Sequence, residues 1–172
     1  MTEFKWDELG DIALGRENLG DEMPVALYRL FQYTMRGVLA QRYGSEEMKE
    51  VFRLSGERAG TAFAKNVLDC SLDQDGFLAQ LQQKLVELKV GVLRVERFDA
   101  QSGHAIFTVS EDLDCSGLPM TGDTVCNYDE GFLTGVLQVY TGHPYRVREI
   151  DCWATGARVC RFDAKMQPLK SE

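Results

Sequence analysis

The chain has 172 residues, 44% of them hydrophobic and 27% charged, with a formal net charge of −8. This describes a single globular domain long enough to bury a core, not a disordered chain. An acidic excess with no basic stripe excludes nucleic acid as a direct partner. No run approaches the length that spans a bilayer, and "MTEFKWDELGDIALG" lacks the basic and apolar regions of a secretion signal. The expectation is a cytoplasmic protein without membrane contact.

Residues 1–23 read as a polar lead-in with weak patterning. The stretch "MPVALYRLFQYTMRGVLAQRYG" then places Val25, Tyr28, Phe31, Met35, Val38 and Leu39 at helical spacing, with Pro24 suited to the first turn and Gly44 to the stop. Leu27, Leu30 and Tyr33 lie off that stripe. The apolar surface is therefore broad, and this helix is the candidate for contact with a second subunit.

Ser45 is placed to cap a second helix, whose stripe runs through Met48, Phe52, Ala59, Phe63 and Val67. Gly56, Gly60 and Ala64 recur four apart on it. Glycine inside a helix costs roughly 1 kcal/mol against alanine, so a close helix crossing, or a ligand against that face, should compensate. Cys70, after Asp69, reads as a partly buried thiol without a role. A third helix is expected within "DQDGFLAQLQQKLVELKVG", with Phe77, Leu78, Leu81 and Leu85 on its buried side.

After Gly91 the period changes to two. "VLRVERFDAQSGHAIFTVSEDL" alternates around a turn at "DAQSG", a hairpin pattern. The loop "CSGLPMTGDTVC" leads to a fourth helix, "NYDEGFLTGVLQVYTG", for which Asn127 is the expected cap and Asp129 and Glu130 favourable first-turn acids. A second hairpin follows, with Tyr145, Val147 and Glu149 alternating and a turn at Thr155–Gly156. The order is helices, hairpin, helix, hairpin. It predicts an α+β domain over residues 24–163, an antiparallel sheet with helices packed on one face, and a frayed tail over 164–172.

Five cysteines occur, at 70, 115, 126, 152 and 160, and four fall in the last third. An odd number in a reducing compartment argues against a disulfide framework. Cys152 and Cys160 stand on opposite arms of the second hairpin, and Cys126 immediately precedes the fourth helix. Three thiolates make an incomplete tetrahedral set, since closed structural zinc takes four ligands. Cys115 and Glu149 both qualify as the fourth. Chemistry alone favours Cys115, because all-sulfur sites are common. Glu149 and Cys152 have opposite strand parity, so a bulge would be needed to turn both inward. Spacing alone leaves a zinc clip and unliganded buried thiols both open; a redox pair is disfavoured because no two-residue separation occurs.

The stretch "CSGLPMTGDTVCNYDEGFLTGVLQVYTGHPYRVREIDCWATGARVCRF", residues 115–162, resembles the 4-vinyl reductase-type domain family. It combines a cysteine, an aromatic and glycine-containing helix, a glutamate, then two cysteines around a glycine loop. The resemblance covers most of residues 24–163. It implies a ligand-binding fold of the nitric-oxide-signalling and Golgi-transport type, often dimeric, related to the sensor modules of aromatic-responsive activators. It also implies structural zinc held by Cys126, Glu149, Cys152 and Cys160, with Cys115 as the rival fourth ligand.

The same resemblance implies a cavity for a hydrophobic or aromatic small molecule. Phe98, Phe107, Tyr128, Phe132 and Tyr140 are its candidate lining, and His104, Glu57, Arg58 and Tyr128 the polar candidates. The expected function is a zinc-stabilised binding or sensory domain without a fused output domain, acting through a homodimer or a separate signalling protein. Two alternatives stand beside it: an enzyme or accessory subunit in tetrapyrrole vinyl-group reduction, and a ligand-free interaction scaffold. Hydride chemistry has little support, because no glycine-rich strand-to-helix turn is present and neither His104 nor His143 sits in a nucleophile pattern.

Overall fold

The computed structural model describes residues 4–99 and 101–168. The chain divides into two compact units, Met1–Lys49 and Glu50–Glu172. No helix of the described residues is long and apolar enough to cross a membrane.

In the first unit the lead-in is more structured than its composition suggests. Trp6–Leu9 forms a 3-10 turn, and a short helix α1 (Ile12–Gly15) starts where the Asp11 carboxylate accepts the Leu14 N–H at 2.9 Å. Helix α2 spans Val25–Tyr43, with Pro24 before it and Gly44 after it. Its polarity is inverted. Gln32 and Arg36 are its buried residues, while Leu27, Leu30, Phe31 and Val38 are exposed. Helix α3 (Ser45–Val67) begins one residue beyond Gly44. Ser45 is therefore its first residue and not its cap, because the Gly44 carbonyl already accepts the Met48 N–H.

In the second unit, α3 continues to Val67 and α4 spans Gln74–Glu87, capped by the Asp73 carboxylate on Gly76 N–H. Strands β1 (Val92–Asp99) and β2 (His104–Ser110) form the first hairpin. Helix α5 spans Asn127–Thr141, and β3 (Tyr145–Asp151) and β4 (Cys160–Met166) close the fold. The sheet is antiparallel in the order β1-β2-β4-β3, so β1 and β3 are its edges. Strand β4 runs three residues past the expected end of the domain at 163; positions 169–172 of the expected tail lie outside the described residues.

One buried row crosses the whole sheet: Val95 opposite Phe107, Phe107 opposite Phe162, and Phe162 opposite Glu149. Phe107 and Phe162 are fully buried, and burial of such rings contributes about 1.5–3 kcal/mol each. Against this core, Phe77 of α4 stacks on Tyr140 of α5 with ring centroids 3.8 Å apart.

Helices α3 and α5 meet backbone to backbone. A methyl group at Gly56 would overlap the Tyr128 carbonyl, and one at Gly60 the Phe132 carbonyl. The reverse holds for Gly131 against the Arg53 carbonyl and Gly135 against that of Glu57. Four glycines thus remove the side-chain layer at this crossing. The glycine repeat in α3 serves helix packing.

Candidate metal centre and its surroundings

The fold brings four thiols to one buried point. The sulfurs of Cys115, Cys126, Cys152 and Cys160 all lie within 4.8 Å of one another, and all four residues are buried. Cys126–Cys160 and Cys126–Cys152 are 3.7 and 4.0 Å apart, and Cys115–Cys160 is 3.0 Å. A tetrahedral ion with metal–sulfur bonds of about 2.3 Å has ligand edges of about 3.8 Å. The donor set and its spacing fit a thiophilic divalent metal.

Each thiol is delivered by a different piece of chain. Asp112 organises the Cys115 turn, its Oδ1 accepting the N–H of Asp114 at 2.9 Å and of Cys115 at 3.0 Å. Cys126 holds the cap position of α5, with its carbonyl accepting the Glu130 N–H. This displaces Asn127 from the expected cap. It is instead the first helical residue, buried, with its amide reaching Glu130 Oε2 at 3.4 Å. Cys152 opens a 3-10 turn, Trp153–Thr155, and Cys160 begins β4. The loop between Cys115 and Cys126 is tied over this hairpin by Thr121 and Gly122 N–H donating to the Ala154 carbonyl, and by the Trp153 indole donating to Leu118 O at 3.1 Å.

Glu149 stands outside the sulfur quartet and against it. Its Oε2 accepts the Cys126 N–H at 3.0 Å, while its Oε1 is buried without a hydrogen-bond partner among the described residues. Burial, followed by the proximity of Cys152, pushes the Glu149 pKa up to about 9. A register shift between Glu149 and Asp151 is the bulge that turns both Glu149 and Cys152 inward.

The thiols share protons: hydrogen bonds from Cys115, Cys126 and Cys160 hold the Cys152 thiol below its ordinary range. The same network, Cys115 first, raises Cys126 and Cys160. A second grouping, Asp112, Cys126 and Asp129, has its ligand atoms within 4.8 Å of one another. Burial and then the charge of Asp114 push Asp112 up to about 7.

Sequence reading undervalued Glu130. It is a buried hub, accepting Arg53 Nε at 2.6 Å and Glu149 N–H at 2.9 Å, with Arg148 at 3.8 Å. Its early place in α5 resembled an ordinary first-turn acid, and the distinguishing signal, Arg53, lies 77 residues upstream.

The five aromatic candidates do not gather around one point. Phe107 is in the sheet core with Phe98 next to it, ring centroids 6.4 Å apart. Phe132 packs on Phe63 at 5.3 Å, Tyr140 on Phe77, and Tyr128 is half-buried at the start of α5. Phe98 lines a groove of about 560 Å3 between α4 and β1, over Leu78, Ala79 and Val95. Of the polar candidates, His104 Nε2 pairs with Asp163 at 2.7 Å, Glu57 accepts from Gln138 at 3.0 Å, and Arg58 is exposed. Cys70 is half-buried, its thiol raised by burial, with Sγ 3.7 Å from the Ala64 carbonyl.

Comparison with known proteins agrees with this geometry. Two uncharacterized proteins of Methanocaldococcus jannaschii are 24% and 23% identical over 149 and 151 residues, covering 87% of this chain and 79% and 82% of theirs. Among solved structures, the phenol-responsive sensory domain of the transcription activator PoxR, crystallised with phenol, superposes with TM-score 0.62 at 17% identity, over 86% of this chain and 76% of that one. A vinyl-4-reductase family protein of M. jannaschii gives 0.62 at 16%, over 98% and 100%. A trafficking protein particle complex subunit 3 of Naegleria fowleri, covalently bound to palmitic acid, gives 0.64 at 10%, over 86% and 97%. An H-NOX protein of S. oneidensis shares the fold at TM-score 0.50 and 15%, over 77% and 72%. The fold is therefore α+β, an antiparallel sheet with helices alongside, shared with sensory and trafficking domains. Residues 105–166, which carry all four clustered thiols, match the model of the 4-vinyl reductase domain, and the chain carries a domain of that family.

Proposed function

We propose that this protein is a zinc-stabilised module that binds a hydrophobic or aromatic small molecule and passes the signal on as a homodimer or through a separate protein. The observation that carries the metal half is the buried quartet of sulfurs within 4.8 Å. Cys115, Cys126, Cys152 and Cys160 would hold the ion, with the Glu149 carboxylate backing Cys126 through its N–H. Such an ion supplies structure, not chemistry: four protein ligands leave no open position for catalysis. The chain's residues tie the β3–β4 turn, the Cys115 loop and the start of α5 to one point.

The ligand half draws support from the solved relatives, one holding phenol and another palmitic acid. The α4–β1 groove offers an apolar floor, with Phe98 at its end and Phe107 behind it. The inverted polarity of α2, apolar side chains outward, supports pairing of two copies.

Denaturing protein purified without chelator should release close to one zinc per chain, read with a chromogenic chelator; a value near zero defeats the metal reading. Phenol and palmitate, each titrated against the native protein in a thermal-shift assay, test the ligand reading. It predicts a raised melting temperature with at least one, and no shift with either defeats it.

A further inference from the structure

The sheet leaves one free edge beside a charged groove. In the β3–β4 ladder, Gln167 N–H donates to the Pro144 carbonyl at 2.7 Å, and the register continues Tyr145–Met166, Arg146–Lys165, Val147–Ala164. Antiparallel pairing alternates. Arg146 and Arg148 therefore spend their backbone groups on β4, and Tyr145, Val147 and Glu149 turn theirs to the open side. Glu149 N–H confirms the parity, because it is taken there by Glu130 Oε1 at 2.9 Å. Tyr145 and Val147 line a groove of about 320 Å3 whose other wall is α3, at Arg53 and Glu57, with Thr134 of α5 between.

The charges bordering this edge are matched unevenly. Glu130 is engaged by Arg53 and Glu149 N–H, Glu50 by Arg53, and Glu57 by Gln138. Arg146 makes no ion pair among the described residues, and Arg148 reaches Glu130 only at 3.8 Å. Both project from the sheet face opposite the core. An incoming strand would set its own alternate side chains directly beside them, where opposite charges stabilise and like charges destabilise. A second copy joining edge to edge would oppose arginine to arginine, so this edge rejects its own kind.

We infer that the open edge of β3 at Tyr145–Val147 docks an extended, acidic segment of a partner protein, which adds as a fifth strand. Main-chain pairing supplies the contact and alternate carboxylates supply the choice. This goes beyond the metal and ligand reading and does not depend on it.

The test uses the full-length protein and a labelled peptide, acetyl-GVEVEVG-amide, in fluorescence polarisation. Binding should weaken about tenfold or more when both glutamates become lysine, and vanish when the central amides are N-methylated. The double variant R146E/R148E, on exposed positions, should reverse the charge preference with an unchanged denaturation midpoint. Amide exchange should show added protection at Tyr145 and Val147, and none added at Arg146 and Arg148. Equal binding of acidic and lysine peptides, absence of binding at millimolar peptide, or protection arising elsewhere would each overturn the inference.

Discussion

Glu149 holds the backbone N–H of Cys126 at 3.0 Å, and its own N–H is held by Glu130 at 2.9 Å. One residue thus links the sulfur cluster to the buried Glu130–Arg53 pair, and through it α5 and β3 to α3. That link separates the roles of the two rivals for the fourth ligand position.

Cys115→Ser should remove most bound metal, since it deletes one of four converging sulfurs. Glu149→Gln should keep the metal while loosening the Cys126 end. Zinc content of the two variants, by atomic emission after gel filtration, distinguishes them. Metal lost from Glu149→Gln and kept in Cys115→Ser would assign the ligand set to Glu149.

Cys152→Ala or Cys160→Ala should destabilise the protein by more than about 2 kcal/mol, because metal binding and folding are coupled. Cys70→Ala, half-buried and outside the cluster, should cost less than about 1 kcal/mol. Urea denaturation of the three variants makes the comparison. Equal midpoints would contradict the clip.

Gly56→Ala and Gly131→Ala place a methyl group on a facing carbonyl carbon and oxygen. Each should cost about 2–3 kcal/mol through forced separation of α3 and α5. At Gly37, where added bulk meets nothing within 4 Å, the same change should be neutral or slightly stabilising. Thermal melts of the three variants test this.

Glu130→Gln should lower stability by about 2 kcal/mol, less than for a wholly buried pair because Arg53 keeps a fifth of its side chain in solvent. Arg53→Met in the Glu130→Gln background should recover part of the loss, a double-mutant cycle read by denaturation.

Asp163 gives a pH signature. Burial opposes its charge, but hydrogen bonds from Lys165 and His104 outweigh it and hold the carboxyl below its ordinary 3.8. A depressed folded-state pKa stabilises above the unfolded value and loses that contribution as pH falls through the folded one. Asp163→Asn should therefore cost stability by a constant amount from about pH 7 down to about pH 5, and the gap should close below about pH 4. A gap that widens on acidification would contradict the assignment.

Much of this arrangement was legible from residue order. The period switch after Gly91, the glycine-marked turns and the Pro24 and Gly44 boundaries each follow from local backbone preference, and each element stands where they place it. The glycines of α3 announced a close approach, but only the fold names Tyr128 and Phe132 as what approaches. The parity of Glu149 and Cys152 could not be read because it turns on a single extra residue in β3, the bulge before Asp151. Glu130 was hidden for a related reason: its partner is distant in sequence, and a buried acid spells the same as a solvated one.

The four glycines at the crossing of α3 and α5 also set the mechanics of the domain. With each helix seated in the other's backbone, sliding along either axis would drive carbonyl oxygens into carbon. The pair can only tilt about that point, like two rods pinned at a common fulcrum. Any displacement imposed near Cys126 at one end of α5 must then emerge, inverted, beyond Gly135 at the other.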